Sequence, residues 1–327
     1  MVSENSVENG TPDTLLGAIK YFADVETSIA FVAALRWPDG VVCPNCEATG
    51  VCYRMSTRQL WKCRACKKQF SVKVGSIFED SPIGLDKWLP AMWMLVNCKN
   101  GVSSYEIARD LGVTQKTAWF MLHRLRLAVH TKSFEKIGGS VEIDETYIGG
   151  KARNMHDSKR KRLGLTQKAS MVGKVAVMGL LDRHGKDGTS QIRLQVVEGR
   201  KRRHFAPVID QHVAKGATIN TDAHPSYGQL AENDYVHNVI DHAEKYVDGQ
   251  IHTNGCENFW SLLKRALRGT YVSVEPFHLF RYLDEQAYRF NNRKMTDGAR
   301  FLEAMASVFG KRITFAALTG KHLADPC

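Results

Sequence analysis

Three carboxylates and four thiols stand where their types and spacing could do chemistry. Asp144 lies in Val141-Glu142-Ile143-Asp144-Glu145-Thr146-Tyr147-Ile148, a β-branched run stopped by Gly149-Gly150. Such a run reads as a short, mostly buried strand ending in a turn. An acid in its middle is costly to bury without a partner, and a divalent metal shared with other carboxylates is the most economical one. The bland alternative is a solvated strand end. Asp222 follows Ala217-Thr218-Ile219-Asn220-Thr221, at a strand end of the kind where α/β sheets place ligands. Glu257 stands early in the helical stretch Cys256-Glu257-Asn258-Phe259-Trp260-Ser261-Leu262-Leu263-Lys264-Arg265. Phe259, Leu262 and Leu263 fall on one stripe of that helix, while Glu257 and Lys264, two turns apart, share a face. A carboxylate with such a lysine suits metal binding plus a phosphate contact; an isolated surface pair is the alternative.

The thiols form a second constellation. Cys43-Pro44-Asn45-Cys46 is followed, after sixteen residues, by Cys63-Arg64-Ala65-Cys66. Two CxxC knuckles at this spacing match a zinc ribbon, and four protein ligands make such a zinc structural. Cys52 lies off the spacing. The segment is too small for a core of its own, so the metal must hold it together. Arg54, Arg58, Lys62, Arg64, Lys67 and Lys68 decorate it, a surface that could lie on a phosphate backbone.

These groups need elements to position them. Thr14 to Leu35 has helical apolar spacing, ended by the turn Trp37-Pro38-Asp39-Gly40, and Leu85 to Val96 reads as a buried helix. Ser103 to Trp119 has the cadence of a helix-turn-helix: Ile107, Ala108 and Leu111 inward, Gly112 in the turn, Thr114 capping a second helix from Gln115 to Ala128. That helix is expected to expose Gln115, Lys116, His123, Arg124 and Arg126 toward phosphates and base edges. Val172 to Leu181 and Gln191 to Val197 read as strands joined through Asp182-Arg183-His184-Gly185. His204 to Val213 reads as a helix, Ala223 to Tyr227 as the start of another, and Phe277 to Asn292 as an amphipathic helix that could turn His278, Arg281 and Arg289 toward DNA. A basic insert between Gly150 and Met171, with Lys151, Arg153, Lys159, Arg160, Lys161, Arg162 and Lys168, reads as a mobile DNA-gripping loop. Arg200-Lys201-Arg202-Arg203 puts cations at a helix start, where a phosphate would relieve them. Carboxylates in the order strand, strand, helix are those an RNase H-like fold uses to hold two Mg²⁺ or Mn²⁺ around a scissile phosphate.

Val74-Gly75-Ser76-Ile77-Phe78-Glu79-Asp80-Ser81, the helical region around Trp88, and Ile143-Asp144-Glu145-Thr146-Tyr147-Ile148-Gly149-Gly150-Lys151 belong to one pattern with the zinc ribbon. So do Thr221-Asp222-Ala223-His224 and His252-Thr253-Asn254-Gly255-Cys256-Glu257, followed by Phe259-Trp260 and Lys264-Arg265. In this combination the chain, from about Ala23 to Arg293, resembles the bacterial insertion-sequence transposases with an ISXO-like DDE domain, relatives of the eukaryotic Merlin elements. The resemblance implies an RNase H-like domain in which Asp144, Asp222 and Glu257 bind the metals and Lys264 accompanies the third acid. In a regular strand Glu145 points to the opposite face, whereas Glu142 shares a face with Asp144, so only the resemblance separates those two.

The expected architecture is α/β: N-terminal tail and helices (1–40), zinc ribbon (41–74), helix-turn-helix-like region (85–132), RNase H-like catalytic domain (138–295) and helical tail (296–327). A net charge of +11 favours a polyanionic partner. That partner is expected to be double-stranded DNA, terminal inverted repeats and target, bound by a dimer or larger assembly. No apolar run spans a bilayer, the first residues lack a secretory signal, and the remaining cysteines are scattered, so a cytoplasmic, reducing setting is expected. Two other readings follow from the same residues: a nuclease of this fold without strand transfer, and a DNA-binding regulator with inert acids.

Overall fold

A computed structural model describes residues 12–130, 135–150, 155–162, 173–185, 188–199, 201–223, 225–227, 230, 234–240 and 252–320. The chain divides into two units, Met1–His130 with Lys294–Cys327, and Thr131–Arg293.

The first unit begins with α1 (Leu15–Phe22) and α2 (Val25–Arg36). The expected single stretch from Thr14 is thus two helices, because Asp24 accepts the Thr27 amide at 2.7 Å and caps a new one. Three short strands, β1 (Cys52–Arg54), β2 (Trp61–Cys63) and β3 (Gln69–Phe70), form an antiparallel sheet in that order. Helix α3 (Leu85–Asn97) is buried along most of its length, as its bulky residues require. Helix α4 (Ser104–Leu111) starts in a capping box between Ser103 and Glu106 and ends at Gly112, whose φ of 59° suits a residue without Cβ. Thr114 then caps α5 (Gln115–Ala128), so helix, glycine turn and helix fall where the pattern places them.

The second unit carries a five-stranded sheet built from β4 (Ser140–Ile148), β5 (Val175–Asp182), β6 (Gln191–Val197), β7 (Thr218–Asp222) and β8 (Val236–Ile240). Along the chain between them lie α6 (Asp157–Arg162) and α7 (Arg202–His212); α8 (Asn254–Ala266) and α9 (Leu279–Asn291) follow β8. The strand order is β6-β5-β4-β7-β8. The first three strands are antiparallel neighbours, whereas β4–β7 and β7–β8 run parallel. One face packs Val141, Ile143 and Ile219 with Phe205 and Ile209 of α7; the other packs Val177 and Leu181 with Phe259 and Leu263 of α8 and Leu283 of α9. After Asp222 the described chain makes one 3₁₀ turn, Pro225–Tyr227, in place of the expected helix start.

The C-terminal segment is structural. Helix α10 (Asp297–Ala306) belongs to the first unit, and its fully buried Phe301 meets Phe22, Phe31 and Trp93 with ring centroids 5.6, 5.9 and 5.2 Å away. A last short helix, α11 (Phe315–Leu318), follows. Phe301→Ala is expected to cost about 3–5 kcal/mol, the usual range for a buried aromatic truncated to alanine. Urea denaturation of the full chain would show it, and a loss below about 1 kcal/mol would contradict this packing.

Candidate active site

The pairing of β4 with β7 sets the acids. Their parallel register joins Ser140 to Thr218, Val141 to Ile219 and Glu142 to Asn220. The pairing ends there, two residues before Asp144 and Asp222, and Asp222 stands near enough for its charge to act on Asp144. Because Val141, Ile143 and Ile219 fill one core, Glu142, Asp144, Asn220 and Asp222 take the opposite face, the one α8 covers. Two bonds from α8 confirm this for β4. Cys256 donates its amide to Glu142 Oε2 at 3.1 Å, and Trp260 Nε1 donates to Asp144 Oδ2 at 2.8 Å.

Burial pushes the Asp144 carboxyl up to about 6, and the charges of Glu145 and Asp222 push the same way. Hydrogen bonds from Trp260 and from the Glu145 amide oppose the shift without cancelling it. Asp144 and Asp222 are therefore close enough to repel, a geometry that a cation relieves. Glu257 is exposed on the first turn of α8, Trp260 lies three residues on and half-buried Lys264 seven on, so all three share a helix face. The face carrying Glu257 and Lys264 is the face that reaches Asp144.

Gly179 makes this approach possible. It pairs with Asp144 across β4–β5, and a Cβ there would lie 2.7 Å from Trp260 Cζ2. Neither Gly179 nor the role of Trp260 was legible as a site feature; a lone glycine inside an apolar strand is the signal that could have found them. The competing acids are also accounted for. Glu145 points to the other face and accepts the Tyr227 hydroxyl at 2.8 Å, with the Tyr227 ring stacked on Phe205. Burial, then Glu145, holds that phenol well above its ordinary range. Glu142 is 1% exposed and bonded to Arg183 Nε at 2.8 Å as well as to Cys256.

The four cysteines of the first unit converge. Cys43 and Cys66 sulfurs lie 3.6 Å apart, Cys46 and Cys63 sulfurs 3.7 Å, and all four fit within 4.8 Å of one another. Among the described residues this is the one group of three or more such ligands so tightly gathered; Asp144, Asp222 and Glu257 do not converge to that spacing. Glu47 and Lys67, each following the second cysteine of a knuckle, adopt φ of 59° and 62°, so the two knuckles turn alike. Amides of Cys66 and Ala65 pull the Cys63 thiol down to about 6, the direction a metal-binding thiolate needs. Cys52 stands outside the cluster.

Comparison with known proteins supplies the family. Residues 136–291 match the ISXO2-like transposase domain, and residues 26–69 match the transposase zinc-ribbon domain. Together the two matches take in more than half of the chain. A protein described as an uncharacterized protein in transposable element ISH50, from Halobacterium salinarum (strain ATCC 700922 / JCM 11081 / NRC-1), is 28% identical over 260 residues, 76% of this chain and 85% of that protein. The chain belongs to the ISXO2-like insertion-sequence transposases.

In this transposase the cysteine cluster is a structural zinc site within a zinc ribbon. No helix of the described residues is long and apolar enough to cross a membrane. Several residues expected to face DNA are elsewhere. Arg124 is 4% exposed, donating to the Glu79 carbonyl at 2.7 Å and the Ile313 carbonyl at 3.3 Å. Arg126 is 1% exposed, and His123 is buried with its ring 4.4 Å from that of Trp119. These three are interior residues of the first unit, because chain segments distant in sequence cover that side of α5. Gln115 is half-buried and bonds Ser104 of α4 at 2.9 Å, while Lys116 is exposed with its ammonium 5.1 Å from the Phe315 ring centre. Arg289 is buried too, donating to Glu285 and, at 2.7 Å, to Gln286.

In the basic insert, Lys159, Arg160, Lys161 and Arg162 lie on α6 rather than in a loop; Arg160 pairs with Asp157 and Lys161 is exposed. Lys151, Arg153 and Lys168 lie outside the described residues, as do Arg200 and His224. Arg202 and Arg203 are exposed in the first turn of α7, which has no side-chain cap bond and no acid.

Two predictions follow from these sites. Asp144 ionises at about 6 in the fold against an ordinary 3.8, so its charged form destabilises the fold. That penalty is absent below the ordinary value and complete above about 6. In EDTA, Asp144→Asn should melt above the wild type near neutral pH and level with it near pH 4; an equal difference at both would contradict the shift. Metal analysis should return one zinc per chain, lost in Cys63→Ser together with much of the ordered structure of the ribbon. Retention of stoichiometric zinc by that variant would count against the four-thiolate site.

Proposed function

We propose that this transposase cuts and joins DNA strands in an RNase H-like domain, with Asp144, Asp222 and Glu257 holding two Mg²⁺ or Mn²⁺ ions. The observation that carries the proposal is the shared face: Asp144 and Asp222 on adjacent parallel strands, and Glu257 on the helix whose Trp260 bonds Asp144. The strand order, three antiparallel strands followed by two parallel ones, supports the fold assignment. The donor set suits hard cations, which take carboxylate oxygens and keep waters and phosphate oxygens.

Such a metal pair, when bound, lowers the pKa of the attacking oxygen and stabilises the leaving one. The protein residues do the positioning. Asp144, Asp222 and Glu257 would supply the carboxylate oxygens that hold the ions, and Trp260 orients Asp144 by its bond to Oδ2. Lys264, two turns from Glu257 on the same helix face, would contact the phosphate. Water attacks the scissile phosphorus and the 3′ oxygen leaves as a hydroxyl; that hydroxyl then attacks a target phosphodiester and displaces its 3′ oxygen. Each step makes and breaks one P–O bond, so no protein nucleophile is needed.

The zinc ribbon and the α4–α5 pair are proposed to recognise the terminal inverted repeats, through Lys116 and the first turn of α5 rather than its buried arginines. Arg202 and Arg203, at a helix start without a side-chain cap bond, and α6, whose sequence carries Lys159, Arg160, Lys161 and Arg162, are proposed to hold backbone phosphates. Bringing two ends together calls for a dimer or larger assembly on DNA.

The test is purified full-length protein with labelled DNA carrying the element ends, in Mg²⁺ or EDTA. Metal-dependent nicking at the ends and joining to a second duplex are expected, and Asp222→Asn should lose more than the roughly 100-fold that an outer partner of a metal site contributes. Binding without cleavage in any metal would leave a regulator; cleavage without joining would leave a nuclease.

A further inference from the structure

We propose that Glu142 and Arg183 are positioning residues: a buried ionic clamp that holds the first turn of α8, and so sets where Glu257 stands relative to Asp144. The inference rests on the metal-site reading above and adds residues that neither the family match nor the acid pattern assigns.

Helix α8 has no side-chain cap bond at Thr253. Its N-terminal amides need acceptors, and one comes from another element: Glu142 Oε2 accepts the Cys256 amide at 3.1 Å. The residue after Cys256 is Glu257. Glu142 Oε1 faces Arg183 Nε at 2.8 Å and His252 Nδ1 at 3.3 Å. Arg183 closes the loop, donating from Nη2 to the His252 carbonyl at 2.7 Å. One guanidinium thus ties the end of β5, the first part of β4 and the residue just before the Thr253 cap. Gly255 lets the turn come this close, since a Cβ there would lie 2.8 Å from Glu142 Oε2 and 3.1 Å from both Leu181 methyl carbons.

Glu142 stands two residues from Asp144 on the same strand and face, so a single strand registers both Asp144 and, through the clamp, the backbone next to Glu257. The second bond, from Trp260 to Asp144, fixes the rotation of α8 one turn later. Two bonds from one strand to one helix determine both its height and its rotation. Stability does not require this chemistry: an apolar pair of similar size commonly serves a core as well as a buried ion pair does, while removing one partner alone leaves a stranded charge. The clamp offers what an apolar pair lacks, directional bonds to the helix start.

Three full-length variants test the proposal. Glu142→Leu with Arg183→Met removes the clamp and leaves neither charge buried. Arg183→Lys keeps the charge and gives up the fork to His252. Glu142→Gln keeps an acceptor for Cys256 and gives up the charge facing Arg183. Single-turnover cleavage of end DNA, its Mg²⁺ dependence, DNA affinity and melting temperature are measured for each. For the double variant, cleavage should fall about 10- to 100-fold, the range for residues that orient metal ligands. Its half-saturating Mg²⁺ should rise several-fold at unchanged DNA affinity, and the two single variants should fall in between. A merely structural role would lower melting temperature and DNA affinity together and leave the Mg²⁺ dependence alone. Wild-type rate and Mg²⁺ dependence in a folded double variant would overturn the proposal; if that variant does not fold, the same result in Arg183→Lys does so. Cleavage surviving Asp144→Asn would instead sink the metal-site reading itself.

Discussion

Burying Glu142 and Asp144 in the middle of a sheet obliges the chain to bring donors to them, and two of those donors belong to one helix. The Cys256 amide and the Trp260 indole fix α8 against β4. Gly179 and Gly255 are the two places where a side chain would hold the helix away. Much of the site follows from that contact. Strand β7, parallel to β4 as far as Asn220, ends in Asp222 near enough to act on Asp144, and Glu257 rides on the docked helix. Unpaired buried carboxylates are costly, and the same docking of α8 that satisfies them carries Glu257 to this face of the sheet.

The two acids of β4 are treated differently. Glu142 meets a guanidinium and a backbone amide and is almost wholly enclosed. Asp144 receives one indole and one amide donor, yet burial and two neighbouring carboxylates leave its charge unfavourable. An ionised carboxylate in that condition gains from a cation, which is the physical basis of the proposed metal site. On the proposed reading one acid serves the architecture and the next is kept short of partners, which would leave the site both rigid and ready to bind.

The strands, and the sheet faces that the acids of β4 take, were legible because their signals are local. Alternation along Val141 to Ile148 fixed which side chains share a face, and it separated Glu145 from Asp144 correctly. Cysteine spacing is equally local, and the cluster formed as the knuckles require. What lies far apart in sequence was not legible. Arg124 and Arg126 have the types of DNA-contact residues, and only the chain's distant carbonyls, at Glu79 and Ile313, reveal why Arg124 is inside. Phe301 likewise joins the N-terminal core across nearly the whole sequence, although its segment reads as a tail. Between Glu142 and Asp144 the pattern offered no choice, because face alone cannot show which acid is already satisfied.

The most direct measurement is anomalous scattering from crystals of the full chain grown with Mn²⁺ and end DNA. The account predicts two Mn²⁺ peaks about 3.5–4 Å apart, the spacing of two-metal phosphoryl-transfer sites, held by Asp144, Asp222 and Glu257. Manganese bound to Glu142, or none on the face shared by Asp144 and Asp222, would contradict it.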